Sequence, residues 1–123
     1  MTIIEAIEKI DSLKPNAYSQ SDKISWLSDL DQMIKNEIID SHEGADEILF
    51  NGYTDDTDIK TELLVPAPYD AVYMSWLEAR IDYANGEYGK YNNSTVMFNK
   101  DYSNFNNYYN RNHMPLGNKI KFF

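Results

Sequence analysis

The stretch "YGKYNNSTVMFNKDYSNFNNYYNRN", residues 88–112, constrains this chain more than any other. Its large side chains are Tyr88, Tyr91, Phe98, Tyr102, Phe105 and Tyr109, and with Thr95 filling one gap they recur in steps of three and four. That spacing lines one face of an α-helix. Many of the remaining positions are asparagine, which competes for backbone hydrogen bonds and favours turns and caps over helix interiors. Such a helix is held by what its seam packs against rather than by propensity. From Tyr88 to Tyr109 it would run roughly 33 Å at 1.5 Å per residue. Tyrosine, with an apolar body and a polar tip, suits a seam that is half core and half interface.

A seam needs partners, and the rest of the chain supplies three more amphipathic stretches. Ile3, Ile7, Ile10 and Leu13 predict a first helix over residues 3–13, stopped by Pro15-Asn16. Ser19, with Asp22 three residues on, predicts an N-cap for a second helix reaching about Ser41. Its stripe is Ile24, Leu27, Leu30 or Met33, Ile34 and Ile38, with Trp26 and Ile39 off it. Pro68 is placed to open a third helix over about 69–84 in its first turn. That helix carries Tyr69, Tyr73, Trp76 and Tyr83 on one stripe, Arg80 among them, and Met74, Leu77, Ile81 and Ala84 on another. Apolar material on two sides predicts a central helix or one shared with a partner. Asn85-Gly86 reads as its stop, although one continuous helix through the glycine is the alternative. Trp76 and Phe98 are the expected core anchors.

Residues 44–66 break the pattern. Ile48-Leu49-Phe50, the turn signal Asn51-Gly52 and Leu63-Leu64-Val65 before Pro66 predict an irregular connection or a small β-hairpin. The expected fold is mainly α: a bundle of about four helices over residues 1–111 and an extended C-terminal tail over 112–123. At 123 residues one domain suffices. No apolar run approaches the ~20 residues that span a bilayer, so no membrane partner is expected. With no cysteine and no signal-like start, the expectation is a soluble, intracellular protein.

The formal charge of −9 argues against a phosphate-neutralising surface. Between Glu37 and Glu62 nine acids face one base, Lys60, whereas no acid follows Asp101 and Arg111, Lys119 and Lys121 do. An acidic middle and a basic end suit head-to-tail self-association, and equally an ordinary solvated loop with a loose tail. No phosphate loop, dinucleotide fingerprint or metalloprotease motif is present. His42 lies among Asp40, Glu43 and Asp46, a set that reads as solvated rather than as a metal site. His113 reads as a packing or partner residue. Asp55-Asp56-Thr57-Asp58 lacks the glycine and distal glutamate of a calcium loop and reads as a solvated turn. No cofactor, metal or catalytic residue is expected. A base-stacking role for the aromatic seam would need a basic groove, and only Lys90, Lys100 and Arg111 lie near it.

Residues 62–115 also carry a resemblance. "LVPAPY" (Leu64–Tyr69), "YMSWLEARID" (Tyr73–Asp82), "GEYGKYNN" (Gly86–Asn93) and "FNKDYSNFNNYYNR" (Phe98–Arg111) follow a pattern seen in small phage and prophage proteins. The chain resembles head–tail connector, or head-completion and adaptor, proteins of long-tailed bacteriophages over a little under half its length. The resemblance implies a structural, non-enzymatic virion protein at the head–tail interface, present in the host cytoplasm during assembly. Its implied partners are itself, as a ring commonly of twelve copies, the portal protein and a downstream neck or tail-completion protein. Genome DNA would pass through without specific binding. Another neck component is the alternative within that class, and a small acidic host-directed inhibitor or DNA mimic is the alternative outside it. The residues expected in core or interface are Trp26, Tyr69, Tyr73, Trp76, Tyr88, Tyr91, Phe98, Tyr102, Phe105 and Tyr109. Lys119, Lys121, Phe122 and Phe123 are the expected partner contacts: two lysines to meet carboxylates and two phenylalanines to fill a neighbour's pocket.

Overall fold

Thr2 opens the first helix in the computed structural model, which describes residues 1–116. Its hydroxyl accepts the Glu5 N–H while the Glu5 carboxylate accepts the Thr2 N–H, a reciprocal cap that satisfies two of the otherwise unpaired donors. Helix α1 (Ile3–Leu13) buries Ile3, Ala6, Ile7 and Ile10, the stripe the spacing predicts. Two more of its first-turn donors are met from the connection: Ile3 and Ile4 N–H bond the carbonyls of Thr61 and Ile59. The irregular segment thus finishes the helix that begins the chain.

Helix α2 (Gln20–Glu37) starts at Ser19, whose hydroxyl accepts the Asp22 N–H at 3.1 Å. It ends earlier than expected. The last stretch tightens into a 3-10 turn over Ile39–Ser41, which still buries Ile38 and Ile39. Helix α3 (Ala71–Ala84) begins three residues after Pro68, so the expected proline in the first helical turn is corrected. Pro68 follows a cis peptide in the preceding turn, where the Tyr69 N–H bonds the Pro66 carbonyl. Helix α4 (Tyr88–Asn112) passes the expected end at 109 by three residues. Gly86, with φ of +75°, reverses the chain between α3 and α4, a left-handed position a β-carbon would disfavour. The asparagine-glycine pair is therefore a stop, and the three-residue link makes the two helices antiparallel neighbours.

α3 is the central helix. It packs on α4, α2 and α1, and buries Val72, Tyr73, Ser75, Leu77, Ala79, Ile81 and Asp82. α4 lays Phe98, Phe105 and Tyr109 into the core, with Tyr91, Thr95 and Tyr102 half-buried beside them. Asn92, Asn93, Asn99, Asn104, Asn107 and Asn110 face solvent. Residues 44–66 take the irregular form rather than the hairpin. Among the described residues the β-pairing consists of two isolated bridges, Thr2 with Glu62 and His42 with Pro115. The fold is a four-helix, mainly α arrangement, and no described helix is long and apolar enough to cross a membrane.

Candidate interaction surfaces and buried polar clusters

Two buried aspartates organise the polar interior. Asp31 stands on α2 between Leu27 and Ile34, fully buried. Its carboxylate accepts the Tyr53 hydroxyl at 2.5 Å, the Tyr73 hydroxyl at 2.6 Å and the Leu64 N–H at 3.1 Å. Tyr73 in turn accepts the Val65 N–H at 2.8 Å. Burial pushes the Asp31 carboxyl above the usual aspartate range, and the three donors hold it back. Burial, and then the Asp31 charge, push both tyrosine hydroxyls up, so they remain donors. The cluster fastens the irregular connection, through Tyr53, Leu64 and Val65, to α2 and α3.

Asp82 on α3 is also fully buried. Lys14, just past the end of α1, reaches its Oδ1 at 2.6 Å, and the Ser94 hydroxyl on α4 donates to Oδ2 at 2.7 Å. Three helices meet on this side chain. A serine, a lysine and an aspartate together could suggest nucleophilic chemistry. Here the Ser94 proton is already committed to a carboxylate, and no imidazole stands beside it: His42 and His113 lie at the other end of α4. The grouping is a clamp.

His42 requires a correction. It is buried rather than solvated. Its Nδ1 lies 2.5 Å from the Ile38 carbonyl and its Nε2 2.5 Å from Asn110 Oδ1. The ring meets the Tyr109 ring edge-on at 4.9 Å. It ties the turn after α2 to the end of α4. Asp40 pairs with Lys35 instead of with the histidine. Among the described residues no group of three or more histidines and acids is placed to hold a metal ion. His113 packs, as expected, lying flat on Tyr109 with ring centroids 3.9 Å apart.

The aromatic residues singled out from the spacing divide between core and surface. Tyr73, Phe98, Phe105 and Tyr109 are buried. Trp26, Tyr69, Trp76, Tyr91 and Tyr102 are half-buried, and Tyr88 is 61% exposed. Trp76 is thus a partly exposed anchor: its indole N–H donates to the Trp26 carbonyl at 2.7 Å and its ring meets Phe98 at 5.1 Å. Arg80 lies over Trp76 at 4.8 Å and near Tyr83 and Tyr91 at 5.5 and 5.8 Å. These rings screen the guanidinium from water while attracting its charge. Tyr83 and Tyr88 extend the patch into solvent. Tyr69 stacks on Tyr108 at 4.5 Å, and Tyr102 donates to Glu37 at 2.6 Å.

At the opposite end, two recesses flank the turn 44–48. One, about 670 Å³, is lined by Asp40, His42, Glu43, Asp46, Glu47 and Leu116. The other, about 200 Å³, is lined largely by apolar side chains from Ile39, Ile48, Leu64, Phe105 and Tyr109, with His113 at its edge. Met114, Pro115 and Leu116 are pinned beside them: Glu43 N–H bonds the Met114 carbonyl, and Leu116 N–H bonds the Ser41 carbonyl at 2.8 Å. The expected partner contacts Lys119, Lys121, Phe122 and Phe123 lie outside the described residues.

Asp31, Asp82, Ser94 and Lys14 were not singled out from the sequence. One signal was available for Asp31. Ile24, Leu27, Asp31, Ile34 and Ile38 step by three and four, which sets an acid on the apolar seam. Comparison with known proteins finds no family model, no curated protein and no solved structure that matches this chain.

Proposed function

We propose that this chain is a non-enzymatic structural protein of a tailed-phage head–tail connector, assembling as a homo-oligomeric ring, of about twelve copies, between the portal and the neck or tail-completion protein. The reading rests on the sequence resemblance of residues 62–115, an associational ground. The observation that supports it is the sorting of polar groups between interior and surface. The buried carboxylates, Asp31 and Asp82, are engaged by hydroxyls, backbone and the Lys14 ammonium, in positions suited to fixing a shape rather than to reacting. What the chain offers outward is two unlike faces. One is the acidic end around Glu43, Asp46 and Glu47, and the other is the asparagine-lined face of α4 with Lys100 and Arg111. Closed rings need heterologous contacts between two such different patches. An acidic inner surface would repel passing DNA.

A small acidic inhibitor that imitates DNA is the rival from another class. It would need carboxylates spread at regular intervals, whereas here nine of the twenty acids gather in residues 37–62. Co-expression with a tailed-phage portal protein, followed by electron microscopy of the purified complex, separates the two. A ring of extra density on the portal is the expected result. Free protein with no portal-bound density, together with binding to a host DNA-processing enzyme, would overturn the connector reading.

A further inference from the structure

The recess between the turn 44–48 and the end of α4 has a property that core packing leaves unexplained. Two of its lining residues, Tyr109 and His113, each carry a buried polar atom, the Tyr109 hydroxyl and His113 Nδ1, with no hydrogen-bond partner among the described residues. Tyr109 is 6% exposed, and a buried donor left unpaired costs about 1–3 kcal/mol. Burial and the nearby Asp40 charge hold its hydroxyl protonated, so it is a donor without an acceptor. The rest of the wall is apolar: Ile39, Ile48, Leu64 and Phe105. At about 200 Å³ it exceeds the roughly 150 Å³ that accommodates a benzene ring. Its neighbour across the turn 44–48 is the acidic recess, with Asp46 and Glu47 exposed. An apolar socket with a buried donor in its wall and acids beyond its rim calls for an aromatic side chain with a backbone carbonyl beside it and cations nearby.

We infer that this recess is an anchor site for a second copy of the chain, received through its Lys119–Phe123 sequence. A phenylalanine ring of the incoming copy fills the recess, a carbonyl of that segment accepts from Tyr109, and its lysines face Asp46 and Glu47. The choice of occupant rests on charge and composition. The receiving rim is acidic, and Lys119-Ile120-Lys121-Phe122-Phe123 holds the one pair of adjacent phenylalanines in the sequence, with two lysines in the three residues before it. The contact is heterologous, since the socket and the inserted segment are different parts of the molecule, and repetition builds a ring or a filament. This inference rests on the connector reading for its biological setting, and it specifies the subunit contact that reading lacks.

Full-length protein and three variants test it by sedimentation velocity across concentration and salt. Tyr109→Phe removes only the unpartnered hydroxyl. It should leave the monomer's melting temperature unchanged or slightly higher, yet weaken self-association roughly fivefold or more. Ile48→Arg blocks the socket, and the double variant Phe122→Ser/Phe123→Ser removes the inserted rings. Each should be monomeric where wild type associates. A mixture of the socket variant and the double variant contains one intact socket and one intact insert per pair, so it should give dimers that grow no further. Wild-type association should weaken as salt rises. Association that survives all three variants would overturn the socket while leaving the connector reading intact. Variants that fail to pair when mixed would overturn exchange between copies. Wild type that remains monomeric both alone and with portal would sink this inference and the connector reading together.

Discussion

Asp31 and Asp82 are both completely buried, yet they are held in opposite ways. Asp31 has only neutral donors around it: two tyrosine hydroxyls and a backbone N–H. Asp82 has a cation, Lys14, and one serine hydroxyl. The first arrangement organises a stretch with no regular structure of its own. Residues 53–65 can cross the bundle in an irregular path because one carboxylate gathers Tyr53, the Leu64 N–H and, through Tyr73, the Val65 N–H. The second arrangement pins regular helices to one another. Lys14 closes α1 against α3, and Ser94 sets the register of α4 against α3. A buried acid thus substitutes for a sheet at one end of the molecule and acts as a helix clamp at the other. Removing either should therefore have different consequences.

The largest effect is expected at Asp31. Asp31→Ala leaves two hydroxyls and an amide unpaired in the core, which costs about 3 kcal/mol or more. Because the connection loses its tether, hydrogen exchange should rise first in residues 53–65. Equal protection loss throughout the chain would mean that the connection is not separately held.

A smaller loss is expected for Lys14→Met. It strips the cation from a buried carboxylate, but the lysine is partly exposed, so the loss should be about 2 kcal/mol by urea denaturation. Asp82→Asn added to it should restore part of that, since the uncompensated charge is then gone. Additive losses in the double variant would argue against a direct ion pair.

pH tests the comparison from another side. The folded state raises the Asp31 pKa, so it holds that proton more tightly than the unfolded chain does. The associated stability is fully present below the ordinary aspartate value, about 3.8, and is lost as pH rises through the folded value. Each unit of upward shift corresponds to about 1.4 kcal/mol. Asp31→Asn should lack this component, so its stability relative to wild type should improve as pH climbs from 3 towards 7. Parallel curves for the two proteins would remove burial as the dominant influence on Asp31.

The smallest effect is expected for Ser94→Ala, which leaves Asp82 with Lys14 alone and should cost about 1 kcal/mol. If that loss matched the Lys14→Met loss, the serine would be as important as the cation and the clamp would be centred on α4 rather than α1.

Much of the helical framework is legible in the chain itself. Steps of three and four fix α1 and α2 and most of the α4 seam, because residues spaced that way fall on one face of a 3.6-residue helix. Ser19 as a cap and Gly86 as a stop follow from local chemistry that needs no distant partner. The double apolar face of α3 foretold a central helix, and the asparagines of α4 proved to be its solvent face. Other features depend on residues far apart in sequence. His42 looks solvated among its acidic neighbours, and only the return of α4 to Asn110 and Tyr109 buries it. Pro68 looks like a helix opener, but the turn built on Pro66 delays the helix to Ala71. Whether residues 44–66 pair as strands or wander was open locally, since short apolar runs beside turns fit either form. The decision came from Asp31, twenty-two residues before Tyr53 and thirty-three before Leu64, whose buried oxygens hold the segment irregular. Periodicity records which face of a helix turns inward, and it carries no information on which distant hydroxyl will meet a carboxylate there. That pairing exists only once the helices have packed.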